Sequence, residues 1–164
     1  MIEFKPMLTP KQMVEAGIFG GAYFSENAGP LIKSTVDFNL FESLSKDLYR
    51  ADKYLPRRNK FKTRAGLNYS QWKAYGWFHE DDPYGWFEWY CKYYSGRRHK
   101  DDQRQIERWY KICGPDGRWR NRLYGMIREK NTSVDDPSVS PRIRQTLLHW
   151  GYLANEKDYN LYCR

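Results

Sequence analysis

The sequence predicts a mainly α fold. The expectation is one compact multi-helix domain over residues 1–164, with a helix-hairpin-helix-like pair at 101–130 and room for a small β element in 17–36. Three observations lead there. Apolar residues recur at three- and four-residue spacing through the second half of the chain, while convincing strand alternation is nearly absent. Residues that start and stop helices bracket those stretches. Aromatic residues make up 18% of the chain, enough to build a core and unlike a disordered composition.

The elements follow in order. Thr9-Pro10 reads as an N-cap and a first helical residue, for a helix running to about Ala16. Gly17, Gly20 and Gly21 break it, and Gly29-Pro30 marks a loop. Phe38, Phe41, Leu44 and Leu48 have helical spacing, so a helix is expected after Asp37. Residues 56–68 read as a basic loop or arm, poorly ordered until a partner binds. Ser70 caps an expected helix over 71–76, and His79-Glu80-Asp81-Asp82-Pro83 is a polar turn. Residues 84–95 form an aromatic helix stopped by Gly96.

Asp101 and Asp102 favour the first turn of a helix over about 101–112. Ile106, Trp109, Tyr110 and Cys113 lie on one side of it, and Arg104, Arg108 and Lys111 form a basic stripe on another. The next helix, about 117–130, turns Trp119, Leu123, Met126 and Ile127 inward. Arg118, Arg120, Arg122 and Arg128 occupy much of the remainder. Residues 131–139 are a loop, and Ser140-Pro141 starts a helix with Ile143, Leu147 and Trp150 inward and Gly151 as its stop. The tail to Arg164 reads as short and irregular.

Charge placement points to a partner. The formal charge is +8; residues 50–64 and 84–128 each carry +6, and the rest of the chain carries −4. Two basic zones on a mildly acidic remainder are the footprint of a polyanion. The cations expected on a phosphate backbone are Arg57, Arg58, Lys60, Lys62 and Arg64 in the loop, then Arg97, Arg98, Arg104, Arg108, Lys111, Arg118, Arg120 and Arg122 in the helical pair. The same arginines and tyrosines suit an interface with an acidic protein, so a protein partner stays open.

Other classes are disfavoured. Cys91, Cys113 and Cys163 are odd in number and widely spaced, which fits reduced thiols rather than a zinc site. The first residues lack a signal-peptide pattern and no apolar run approaches a membrane span, so an intracellular, membrane-free protein is expected. His79, Glu80, Asp81 and Asp82 are the sort of set that holds a divalent cation, but acidic turns before helices are usually caps. His99 beside Asp101 and Asp102 is read the same way. No metal and no cofactor is assigned. No P-loop, dinucleotide fingerprint or Ser/His/Asp order is present.

The run Ile112-Cys113-Gly114-Pro115-Asp116-Gly117-Arg118, the helix after it and Val134-Asp135-Asp136 together resemble the helix-hairpin-helix DNA glycosylases. The resemblance spans about residues 106–144 of the 164. It implies DNA ahead of RNA, with Gly114 and Gly117 in the phosphate-gripping hairpin. It also implies a catalytic aspartate at Asp135, 21 positions after Gly114, or at Asp136 beside it. Pro137 to Arg144 is similar to the family's arginine-bearing helix. The departures matter. The glycines are three apart where the family usually has Gly-x-Gly. The lysine of lyase members is absent; Arg118 and Arg120 stand there. An enzyme of this kind would thus be a monofunctional glycosylase, using a fixed anion beside the oxocarbenium-like sugar.

Overall fold

A computed structural model of the protein describes residues 3–27, 30, 33–66, 71, 74, 76 and 79–164. Among the described residues the regular structure is helical, with no strand. The α-helices are α1 (Pro10–Ala16), α2 (Trp86–Tyr94), α3 (Asp102–Cys113), α4 (Arg118–Lys130), α5 (Pro141–Leu148) and α6 (Glu156–Tyr162). Short 3-10 turns lie at Phe19–Gly21, Phe38–Phe41, Lys46–Leu48 and Pro56–Arg58.

Local chemistry explains the boundaries. Thr9 and Gln12 close a reciprocal capping box: Gln12 N–H donates to Thr9 Oγ1 at 3.2 Å, and Thr9 N–H donates to Gln12 Oε1 at 2.9 Å. The α5 helix starts with the Ser140 hydroxyl accepting from Ile143 N–H and Pro141 at its first position. Around α2 the core is thickest. Trp86 through Lys92 are all buried, polar Glu88 and Lys92 included. Phe4 plugs the end of that aromatic set, its ring centroid 5.1–6.3 Å from those of Trp86, Trp89, Tyr90, Tyr93 and Trp109. The predicted pair is present as α3 and α4. Trp109 and Cys113 of α3 and Leu123, Tyr124 and Ile127 of α4 are buried.

Three expectations change. The helix after Asp37 is two 3-10 turns instead. Ser43 sits at φ 72 between them, and the rings tuck inward: Phe41 is buried and Phe38 stacks on Tyr49. Packing of bulky rings has overridden a four-residue spacing. The small β element of 17–36 is not found among the described residues, where the chain makes a 3-10 turn. The glycines there serve a close approach: a Cβ on Gly17, whose φ is +105, would collide with the Arg58 carbonyl. The tail is not irregular. Asn155 caps α6 by accepting from Asp158 N–H at 2.9 Å, and Tyr159 packs its ring near Tyr124. The helix expected over 71–76, with its Ser70 cap, falls mostly outside the described residues. No helix among them is long and apolar enough to cross a membrane.

Candidate nucleic-acid interface and a polar pocket

The basic loop is built around one buried side chain. Asn59 is 0% exposed. Its Oδ1 accepts from Gly20 N–H at 2.7 Å, and its Nδ2 donates to Tyr54 OH at 2.9 Å and to the Thr63 carbonyl at 2.7 Å. Gln145 of α5 adds a second tie, accepting from Phe61 N–H and donating to the Gly17 carbonyl, each at 3.0 Å. A loop held this way is seated on the fold rather than an arm waiting for a partner. Arg57, Lys60, Lys62 and Arg64 are exposed on it, and none forms an ion pair with a described residue. The Arg64 guanidinium lies 4.1 Å over the Tyr54 ring. Arg58 is half-buried and leans on the Lys53 carbonyl at 3.4 Å.

The second basic zone is different. Arg97 forks onto buried Asp82 with bonds of 2.9 and 2.7 Å, and Lys92 reaches the same carboxylate at 3.0 Å. Arg104 forks onto Asp101 at 2.5 and 2.8 Å. Arg108 donates to Gln105 Oε1 at 2.8 Å, and burial, with the Arg104 charge beside it, pulls its pKa down to about 10. Arg120 is buried, 3.5 Å from Asp158 and over the Tyr152 ring. The predicted polar stripe of α3 and the arginine face of α4 are therefore turned partly inward. Arg97, Arg104, Arg108 and Arg120 hold the fold together. Arg98, Lys111, Arg118 and Arg122 remain exposed, Arg98 packing over Tyr93 and donating to its carbonyl.

The hairpin glycines have a local reason to be glycine. A Cβ on Gly114 would lie 2.6 Å from the Tyr110 carbonyl oxygen, and one on Gly117 2.6 Å from that of Ile112. Their amides are used inside the turn, Gly114 N–H donating to Tyr110 O and Gly117 N–H to Gly114 O. Asp136 closes the 131–139 loop. It accepts from Ser138 N–H, Ser138 Oγ and Thr132 Oγ1 at 2.7–2.9 Å, and these bonds hold its carboxyl far below the usual carboxylate range. Asp135 is exposed and takes a bond from the Ser133 hydroxyl. Arg144 ties the same loop to α5 through the Val134 and Val139 carbonyls.

A pocket of about 530 Å³ opens between the 33–40 segment and the turns at the two ends of α2. Asp81, Lys92, Arg97 and His99 are among the residues lining it. The Arg97–Asp82 fork ties those turns together. It thereby brings His79, Asp81 and His99 into one cluster, which the sequence offered only as separate weak candidates. Sequence reasoning missed Asn59, Gln145 and buried His149 as polar anchors. Gln145 and His149, four apart on the helix face that also carries Leu148, were the available signal. Compared with family models, curated proteins and solved structures, the chain has no match.

Proposed function

We propose that the protein binds the phosphate backbone of a nucleic acid, DNA ahead of RNA. The observation that carries this reading is the seated loop 56–64, which offers four exposed cations on a backbone already held by Asn59 and Gln145. A pre-formed loop binds without the cost of ordering, and arginine forks match phosphate oxygens. Arg118 and Arg122 on exposed positions of α4 extend the contact. The preference for DNA rests on the hairpin resemblance.

Six such cations, each neutralising a phosphate, give a log–log salt slope near −5. Fluorescence anisotropy on labelled duplex DNA, single-stranded DNA and RNA between about 50 and 200 mM salt measures it. The triple variant Arg57→Gln/Lys60→Gln/Arg64→Gln is expected to keep its melting temperature and to lose about 2.7 from the slope. A wild-type slope shallower than about −2 on every nucleic acid would end the reading.

A further inference from the structure

His79 and His99 are 20 positions apart, yet the turns that enter and leave α2 set them on either side of Asp81. One ligating atom from each of the three residues lies within 4.8 Å of the others. Asp81 Oδ2 is central, 2.7 Å from His99 Nε2 and 3.8 Å from His79 Nδ1. The two rings stand 5.1 Å apart at 85°. A tetrahedral ion bonded at about 2.0–2.1 Å keeps its ligand atoms roughly 3.3 Å apart, a value the two separations bracket. All three side chains reach solvent, so an ion has a way in.

We propose that His79, Asp81 and His99 form a binding site for a divalent transition-metal ion of the zinc class. Two imidazoles and one carboxylate suit such an ion, whereas Mg²⁺ and Ca²⁺ prefer oxygen alone. The hydrogen bonds of the cluster show which ring nitrogens face the ion. His79 Nδ1 accepts from Asp81 N–H at 3.1 Å, so that nitrogen carries a lone pair. His99 Nδ1 accepts from Asp101 N–H at 3.1 Å, which leaves the ring proton on Nε2, facing Asp81. The ion takes the place of that proton. The ring proton moves to Nδ1, and two amide contacts of 3.1 Å are given up: Asp101 N–H to His99 Nδ1, and Asp81 N–H to His79 Nδ1, whose lone pair turns to the ion.

The surroundings hold the cluster in place. Asp102 accepts from His99 N–H at 2.9 Å and from Trp89 Nε1–H at 2.8 Å, and Arg104 clamps Asp101. Supporting contacts of this kind orient ligands and tune affinity. Three protein ligands leave a fourth position for water, and Asp81 and His99 both face the 530 Å³ pocket. This site is independent of the nucleic-acid reading and stands or falls without it.

The test uses the whole 164-residue chain stripped of metal, in a Cys163→Ser background so that the half-exposed thiol contributes nothing. Zn²⁺ is titrated by calorimetry and Co²⁺ by visible absorption. The expected result is one equivalent bound with Kd below about 10 μM and Co²⁺ bands of a nitrogen- and oxygen-ligated ion. His99→Gln and, separately, His79→Gln weaken binding at least tenfold, and saturating Zn²⁺ raises the wild-type melting temperature. A wild-type Kd above about 1 mM overturns the proposal. So does unchanged affinity in a folded His79→Gln or His99→Gln variant.

Discussion

Residues 50–64 and 84–128 carry the same formal charge, +6 each, yet one zone, apart from Arg50 paired with Glu26, turns most of it to solvent and the other turns much of it inward. In the loop, the buried residue is the neutral Asn59 and four cations stand outside. In the helical zone, Lys92, Arg97, Arg104 and Arg120 each meet a carboxylate. Two of those carboxylates, Asp82 and Asp158, lie outside residues 84–128. A charge count along the chain cannot see partners delivered by another element. What marks an interface is a cation left without a partner after folding, and only tertiary structure decides that.

The largest effect should come from the inward zone. Asp82→Ala leaves Arg97 and Lys92 facing a site built for a carboxylate. Breaking a buried pair by removing one partner costs about 3–5 kcal/mol. At about 2–4 °C per kcal/mol for a chain of this size, melting should fall by roughly 6–20 °C. The salt slope on DNA should stay at the wild-type value for the protein that remains folded. If melting is unchanged, Asp82 does not lock the two turns, and the contrast between the zones weakens.

Gln145, which ties the loop to α5 through Phe61 N–H, lies 3.0 Å from the acid-sensitive His149. His149 is buried, its Nε2 accepts from Phe19 N–H at 3.2 Å, and its ring stacks on Phe19 at 3.9 Å. Burial pushes its pKa down to about 3 from an ordinary 6.5. The unfolded chain therefore takes up a proton near pH 6.5 while the folded one resists it. Stability is complete above that pH and falls by about 1.4 kcal/mol per unit as pH drops through the window. Between pH 6.5 and 4.5 the loss is about 2.3 kcal/mol, before the carboxylates of Asp101, Asp136 and Asp158 begin to contribute. Thermal melts against pH should show a slope in the wild type that is absent in His149→Gln. Parallel curves would mean that the ring is not held neutral.

Much of the helical framework was legible, and for local reasons. Thr9-Pro10, Ser140-Pro141, Gly96 and Gly151 act within a few residues of themselves, so their roles can be read from spacing. The failures were tertiary. Phe38, Phe41 and Leu44 carry a helical pattern, but core rings from other elements bend that segment into short turns. The short α6 helix gains its support from Tyr124 and Tyr152, neither of which its own sequence reveals. The candidate site divides the same way. Exposed Arg57, Lys60, Lys62 and Arg64 could be anticipated, while the fate of Arg104 and Arg120 depended on Asp101 and Asp158. The convergence of His79 and His99 on Asp81 was invisible because it needs the turns before and after α2 to meet.

The smallest effect on stability is the one that separates the zones most cleanly. Two double variants each remove two positive charges from the helical pair. Arg118→Ala/Arg122→Ala removes exposed cations of α4, so melting should move by no more than surface substitutions do, within about 0.5 kcal/mol for each. On DNA the same variant should lose about 1.8 from the log–log salt slope, one counterion for each phosphate no longer neutralised. Arg104→Ala/Arg108→Ala removes a fork onto Asp101 and a bond to Gln105. Hydrogen bonds to charged groups contribute about 1.5–3 kcal/mol, so this variant should melt lower while the slope stays put. The pair of measurements is symmetrical by design: equal charge removed, opposite observables moved. If both variants change the slope equally, Arg104 and Arg108 leave their internal partners when DNA binds, and folding has not decided which cations face a partner. If neither does, α4 lies off the interface and the loop alone carries the contact.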